Sequence, residues 1–392
     1  MDTVRNHIDI PKYFFAGSVY LLALSIPITI VAAQIGAALL ILAGVALLVS
    51  GRKSERLPLL MTVWVLIFLV LIILSSLFSS NPPEAFPQLK KSWVMLCLFP
   101  LLAFSGEYSR KTTIELFILG TTLASVLALF RYFTGAVDRA APFSGGYTTL
   151  ALFEAAALPL ALWKYSQYRN SSKKWLYLVF GIMMVLGLIF TKTRAGWVAA
   201  FVGVMIMGLS LNRKRAMIGL LLSLVLLLAF PKVRGIVLER FKTEKKGGVT
   251  SGRLLLYAAA TDPLSRLPLL GYGPGSFGRL VSPAVLEQIG DRNIKSWHST
   301  PLEILMESGP LSLIAFLVAA LIPVRQAWRD RKKIPGQKQF RTAVLGSLTA
   351  IYLAGLTTNL LRDFLIFSLL IFLWSFSLLS YNNDSGELKA AI

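Results

Sequence analysis

Apolar runs close to 20 residues long recur from one end of this 392-residue chain to the other, and that constrains it more than any other feature. Wound as a helix at about 1.5 Å per residue, such a run matches the hydrocarbon thickness of a bilayer. Inside hydrocarbon every backbone polar group needs an internal partner, which is what a helix provides. Hydrophobic residues make up 55% of the chain and charged residues 15%, where an ordinary soluble domain has about 25% charged. The composition therefore argues against disorder. It also argues against a soluble nucleic-acid-binding protein, despite a net charge of +21.

The expected fold is all-α: a polytopic integral membrane protein of about twelve helices. The candidate spans are roughly 13–32, 34–50, 57–78, 91–105, 113–133, 146–165, 174–191, 195–211, 215–231, 302–324, 341–358 and 364–381. Several are short for a core of about 30 Å, so kinked or re-entrant segments are expected among them. The polar stretch Met1–Lys12 does not read as a signal peptide, and the first run is expected as an uncleaved helix. Three regions follow: an N-terminal bundle (1–231), one long loop (232–301) and a C-terminal group of helices with a short tail (302–392).

Lysine and arginine in the loops set the orientation. With the N-terminus in the cytoplasm, the cytoplasmic segments hold 22 of the 40 basic residues and the short external loops hold seven. The dense clusters are Arg52/Lys53/Arg56, Lys164/Arg169/Lys173/Lys174, Arg213/Lys214/Arg215 and 325–341. Both ends are then expected inside, with the long loop outside. That loop holds the other 11 basic residues against five acids (Glu239, Glu244, Asp262, Glu287 and Asp291), an excess that topology does not require. It starts basic (Lys232, Arg234, Arg240, Lys242, Lys245, Lys246), breaks at Gly247-Gly248, and reaches a helix expected around 254–261.

Chemistry-bearing residues are few. His298, at the mouth of the span that begins near 302, is one of two histidines; the other, His7, is in the N-terminal tail. Imidazole is the side chain whose ordinary pKa suits proton transfer near neutral pH. The competing reading is an interfacial histidine beside a helix start. Glu303 and Glu307 follow closely enough to orient it, or to serve as polar groups satisfied inside the bundle. Arg194, with Lys192 beside it, interrupts two apolar runs; an arginine at membrane depth costs about 2.5–3.5 kcal/mol and generally has a partner. It reads as an anion clamp or as a snorkelling interface residue. Arg253 sits at the expected start of the loop helix, where backbone N–H groups also favour anions; a solvated loop cation is its alternative. Arg362-Asp363 reads as an ion pair closing the same face. The glycine-rich stretch Gly271–Gly278 lacks the lysine and spacing of a phosphate-binding loop and reads as a tight turn.

The single cysteine, Cys97, excludes an internal disulfide and a cysteine-based metal site. No two of the eight aspartates are adjacent or one residue apart, so there is no Asp-x-Asp signature. A site of one histidine and several arginines is expected to work without a metal or other cofactor, fixed cations doing what a divalent ion does on a diphosphate.

At these residues the chain resembles the O-antigen ligase/polymerase family of bacterial membrane glycosyltransferases. The resemblance rests on T-K-T-R-A-G-W at 191–197, S-G-R-L-L-L-Y at 251–257, P-L-L-G-Y-G-P-G-S-F at 268–277 and W-H-S-T-P-L-E-I-L-M-E-S-G at 297–309. It covers about 190–325 and is topological elsewhere. Ser299 departs from the asparagine often found there in the family. The resemblance implies a GT-C-like membrane glycosyltransferase in the inner membrane with its site facing the periplasm. The implied donor is a glycan on undecaprenyl diphosphate and the implied acceptor a lipid A–core sugar, in lipopolysaccharide biosynthesis; membrane lipids surround it and nucleic acid is not a partner. By the same resemblance His298 is the base and Arg194 and Arg253 bind the diphosphate; from the residues themselves Lys192 is expected to assist, with Glu303, Tyr257, Arg362 and Asp363 as candidate supporting residues. The polymerase and the protein O-oligosaccharyltransferase are alternatives within the family. A lipid-linked glycan flippase is the alternative of another class, although no inverted repeat is visible in the sequence.

Overall fold

A computed structural model of the chain describes residues 9–211, 235, 249–289, 294–333 and 337–379. The described residues form helices and connecting turns, with no strand among them. The first group comprises α1 (Ile10–Ser25), α2 (Ile30–Val49), α3 (Leu59–Leu77), α4 (Pro82–Leu89), a 3-10 segment (Ser92–Cys97) running into α5 (Leu98–Ala103), α6 (Arg110–Phe133), α7 (Tyr147–Gln167), α8 (Lys173–Phe190) and α9 (Arg194–Leu211). The long loop holds α10 (Val249–Ala259), α11 (Thr261–Ser265), α12 (Phe277–Leu280) and α13 (Pro283–Ile289). The chain then re-enters the bundle as α14 (Thr300–Lys333), α15 (Lys338–Gly355) and α16 (Phe364–Leu378).

Six described helices (α2, α3, α6, α8, α9 and α14) are long and apolar enough to cross a membrane, and α1 and α16 are shorter apolar helices. Their outward faces are apolar too: Val31, Ile35, Leu42 and Val45 on α2 and Leu66, Val70 and Ile73 on α3 are exposed. Acyl chains are as apolar as leucine, so such a surface is at ease in lipid.

The run at 91–105 is not one span. It divides into the 3-10 segment and α5, which together extend only about 20 Å. The run at 215–231 lies outside the described residues. So do His7, Arg213, Lys214 and Arg215, the basic residues between 232 and 246 together with Glu239 and Glu244, the Gly247-Gly248 break, and Asp291.

Three helices approach closely and place the site. A Cβ on Gly203 of α9 would stand 2.9 Å from the Gly346 carbonyl of α15, and one on Gly346 would stand 2.6 Å from the Gly203 carbonyl. Pro159 of α7 packs against the same point. Ser347 donates to the Ala156 carbonyl of α7 at 2.6 Å. Small residues let membrane helices pack backbone to backbone, and the hydroxyl bridges them.

The span expected at 302–324 is longer than its apolar run and is broken. Gly309 adopts φ 82, ψ 173, a conformation open in practice to glycine alone. Pro310 follows and has no N–H for the Met306 carbonyl. The glycine-rich loop fills that gap: Tyr272 N–H donates to Met306 O at 2.8 Å and Gly273 N–H to Glu307 O at 2.9 Å. Ser75 of α3 also donates to Glu307 O, at 2.6 Å. The Gly271–Gly278 stretch is therefore more than a tight turn; it completes a broken helix. A Cβ on Gly309 would stand 2.1 Å from the Leu269 carbonyl. Gly309→Ala is expected to destabilise the protein by at least about 2 kcal/mol, seen as a lower thermal midpoint in detergent and less folded protein.

Candidate functional site

A cavity of about 650 Å³ opens at one end of the bundle, and Lys192, Arg194, Arg253 and His298 all line it. The wall comes from several parts of the chain: the loop before α7 (Arg139), the first turn of α7 (Tyr147, Thr148, Thr149), the entry to α9, one face of α10 (Gly252, Arg253, Leu256), the end of α13 (Ile289), the segment ending at His298, and the entry to α16 (Thr358, Asn359, Arg362, Asp363) with Ile366. Tyr147, Arg194 and Phe364 open α7, α9 and α16, and Thr300 opens α14 two residues after His298. Helix starts carry partial positive charge and unbonded N–H groups. The α16 start is already capped by the Asp363 carboxylate, whereas the starts of α7 and α9, with Arg194 and Arg253 between them, leave that side of the cavity electropositive and suited to an anion.

His298 and Lys192 have φ of 51° and 54°, and they are the non-glycine residues with positive φ among the described residues. Such a backbone is uncommon outside glycine and persists where the surroundings over-determine it. Around His298 those surroundings are visible. Trp297 is fully buried, its ring edge-on to Phe277 at 5.0 Å, and its backbone N–H donates to the Glu303 carboxylate at 2.8 Å. The hydroxyl of Thr300 donates to Thr358 O at 2.7 Å and accepts from Leu360 N–H at 2.9 Å. Lys192 N–H donates to Ile189 O at 3.1 Å, and its ammonium lies 5.5 Å over the Tyr132 ring.

Glu303 thus holds the backbone of the histidine segment. Its carboxylate also meets Arg362 Nε at 2.6 Å. Arg362 further donates to Glu307 and to the Lys295 carbonyl. The ion pair expected between Arg362 and Asp363 is replaced by this arrangement. Asp363 caps α16 through Leu365 N–H at 2.9 Å and accepts from the Thr149 hydroxyl at 2.6 Å. An N-cap carboxylate points back at its own helix, which leaves Arg362 to reach the two glutamates of α14. Burial works against the Arg362 charge, but Glu307 and Glu303 outweigh it and hold its pKa above the ordinary value.

Arg253 lies inside α10 and not at its start, because the helix begins at Val249. Burial pushes its guanidinium below the ordinary pKa; Arg194 adds to this, while Tyr257 and Tyr147 act in the opposite direction. Tyr257, one turn further along α10, does not line the cavity but is close enough to Arg253 to act on its charge. An arginine with a second arginine as its electrostatic neighbour gains from any anion placed between them.

Arg139, Thr149 and Asn359 line the cavity too, and the sequence reading did not single them out. Arg139 stacks 4.3 Å over the Tyr147 ring. In the sequence it is one more cation of a short loop, and only the fold shows that the loop folds over the cavity. Among the described residues no group of three or more His, Cys, Asp or Glu is placed to hold a metal ion.

Residues 179–317 match the family model described as O-antigen ligase. The matched segment contains Lys192, Arg194, Arg253 and His298, whereas Arg139, Thr149, Asn359, Arg362 and Asp363 lie beyond it. No curated protein matches the chain.

Proposed function

We propose that this chain, which carries the domain of the O-antigen ligase family, transfers a glycan from undecaprenyl diphosphate to a lipid A–core sugar at the periplasmic face of the inner membrane. One observation carries the proposal: Arg194, Arg253 and Lys192 meet His298 in a single cavity ringed by helix starts. The excess of lysine and arginine in the opposite loops supports an orientation with that end of the bundle away from the cytoplasm.

The donor's anomeric carbon bears a diphosphate leaving group. Arg194 and Arg253 grip its oxygens and stabilise the charge that develops as the carbon–oxygen bond breaks. Lys192 adds a point charge at the rim. His298 accepts the proton of the acceptor hydroxyl as its oxygen attacks. Attack opposite the leaving group in one step inverts the anomeric centre. The cations supply the charge that a divalent metal supplies elsewhere, so the reaction runs without one.

The test is reconstitution of the purified chain in lipid with its host's lipid-linked glycan and lipid A–core. Transfer to lipid A–core, unchanged by a chelator, is the expected result; loss on chelation overturns the metal-independent part. Longer lipid-linked chains formed without lipid A–core identify a polymerase, and glycan on a protein hydroxyl identifies a protein O-oligosaccharyltransferase. Movement of labelled donor across the membrane with no transfer identifies a flippase. The placement of the cations at one end of the bundle favours an enzyme over that last reading, since transporters bind near the midplane.

A further inference from the structure

The main cavity has a second corner with a different character. Behind its wall lies a small cavity of about 50 Å³. Arg362 and Asn359 line both cavities. At this corner Arg362 is already engaged by Glu303 and Glu307, and Asp363 stands beside it. Lys91 faces the same groups from the small cavity. The charges here are largely offset, unlike those around Arg194 and Arg253. An anion has no reason to settle in this corner, but an uncharged polar ligand does.

Asn359 is the group able to receive one. It is 8% exposed. Its Oδ1 accepts from the Leu361 N–H at 3.1 Å, and since an N–H requires an oxygen opposite it, that bond fixes the amide orientation. The Nδ2 group therefore points the other way, and it has no hydrogen-bond partner among the described residues. A buried donor without an acceptor is costly, and such groups in folded proteins ask for an explanation. The segment that carries Asn359 is fastened to the start of α14, two residues from His298, by the Thr300 hydroxyl between Thr358 O and Leu360 N–H.

We propose that Asn359 is a positioning residue whose Nδ2 donates a hydrogen bond to a sugar hydroxyl held in the cavity beside His298. This rests on the glycosyl-transfer reading above and adds to it a separate subsite for an uncharged sugar. A hydroxyl that accepts from Asn359 still has its own proton to present to the base and a lone pair for attack.

The experiment uses the full-length protein reconstituted in lipid, with its host's lipid-linked glycan and lipid A–core. Asn359→Ala removes the amide. Asn359→Asp keeps the acceptor for Leu361 N–H and removes the donor, so it holds the local fold. The expected result is a KM raised about tenfold for one substrate in both variants, with the KM of the other substrate and the thermal midpoint unchanged. A raised acceptor KM assigns the hydroxyl to the acceptor sugar, and a raised donor KM assigns it to the transferred glycan. Wild-type protein given monodeoxy forms of that sugar supplies a measurement independent of folding: one deletion reproduces the tenfold loss, and Asn359→Asp is indifferent to it. Both KM values unchanged in a folded variant, or no deoxy form that discriminates wild type from variant, overturns the assignment of Asn359. Absence of transfer by the wild-type protein overturns the underlying reading instead.

Discussion

His298→Ala is expected to leave a folded protein that transfers glycan about 10²–10⁴-fold more slowly, the range that general acid–base catalysis supplies. In a ligase-deficient strain the cell surface should lose its long glycan while the variant is still found in the membrane at the wild-type level. Surface glycan restored in full by His298→Ala would remove the histidine from the mechanism. The variant should fold because neighbours of position 298 fasten the segment on both sides: Trp297 backbone N–H to Glu303, the Trp297 ring against Phe277, and Thr300 to the 358–360 segment. His298→Gly is a useful companion. It relaxes the left-handed backbone at this residue, so it should be at least as stable as the alanine variant and equally slow.

The arginines give the second large effect. Arg194→Ala and Arg253→Ala should each lower turnover by about 10²–10³-fold, the loss that follows removal of one preorganised group from a developing charge. Lysine at either position should recover only part of this, since an ammonium cannot span two phosphate oxygens as a guanidinium does. For Arg253 the thermal midpoint adds a second readout. Its charge is opposed first by burial and then by Arg194, so its removal should leave the unliganded protein as stable as before, or more so. An activity loss accompanied by a comparable loss of stability would instead make Arg253 a structural residue.

The strongest signals in the sequence were the ones with a physical period or a physical scarcity. The apolar runs led to the long helices because a run near 20 residues fits a helix that satisfies its own backbone across lipid, and the boundaries of five runs fall near those of α2, α3, α6, α8 and α9. His298 stood out as one of two histidines, Arg194 with Lys192 as cations between two apolar runs, and Arg253 as an arginine at an expected helix start, and the fold brings all four to one cavity. Run length alone did not reveal that 91–105 folds as two short pieces, since composition there still reads as a span. The partners of Arg362 were misread because adjacency in sequence is a poor guide once a helix cap claims the neighbouring carboxylate. Arg139, Thr149 and Asn359 were invisible because their roles depend on which loops fold over the cavity, and no local pattern records that.

The docking of the glycine-rich loop onto the break at Gly309 has a consequence for biogenesis. The loop is synthesised before the half-helix it completes, and the cavity also needs 358–366, near the end of the chain. A nascent chain that stops before residue 358 thus lacks one wall of the cavity, and on the proposed reading it should be inactive however well its earlier helices have folded.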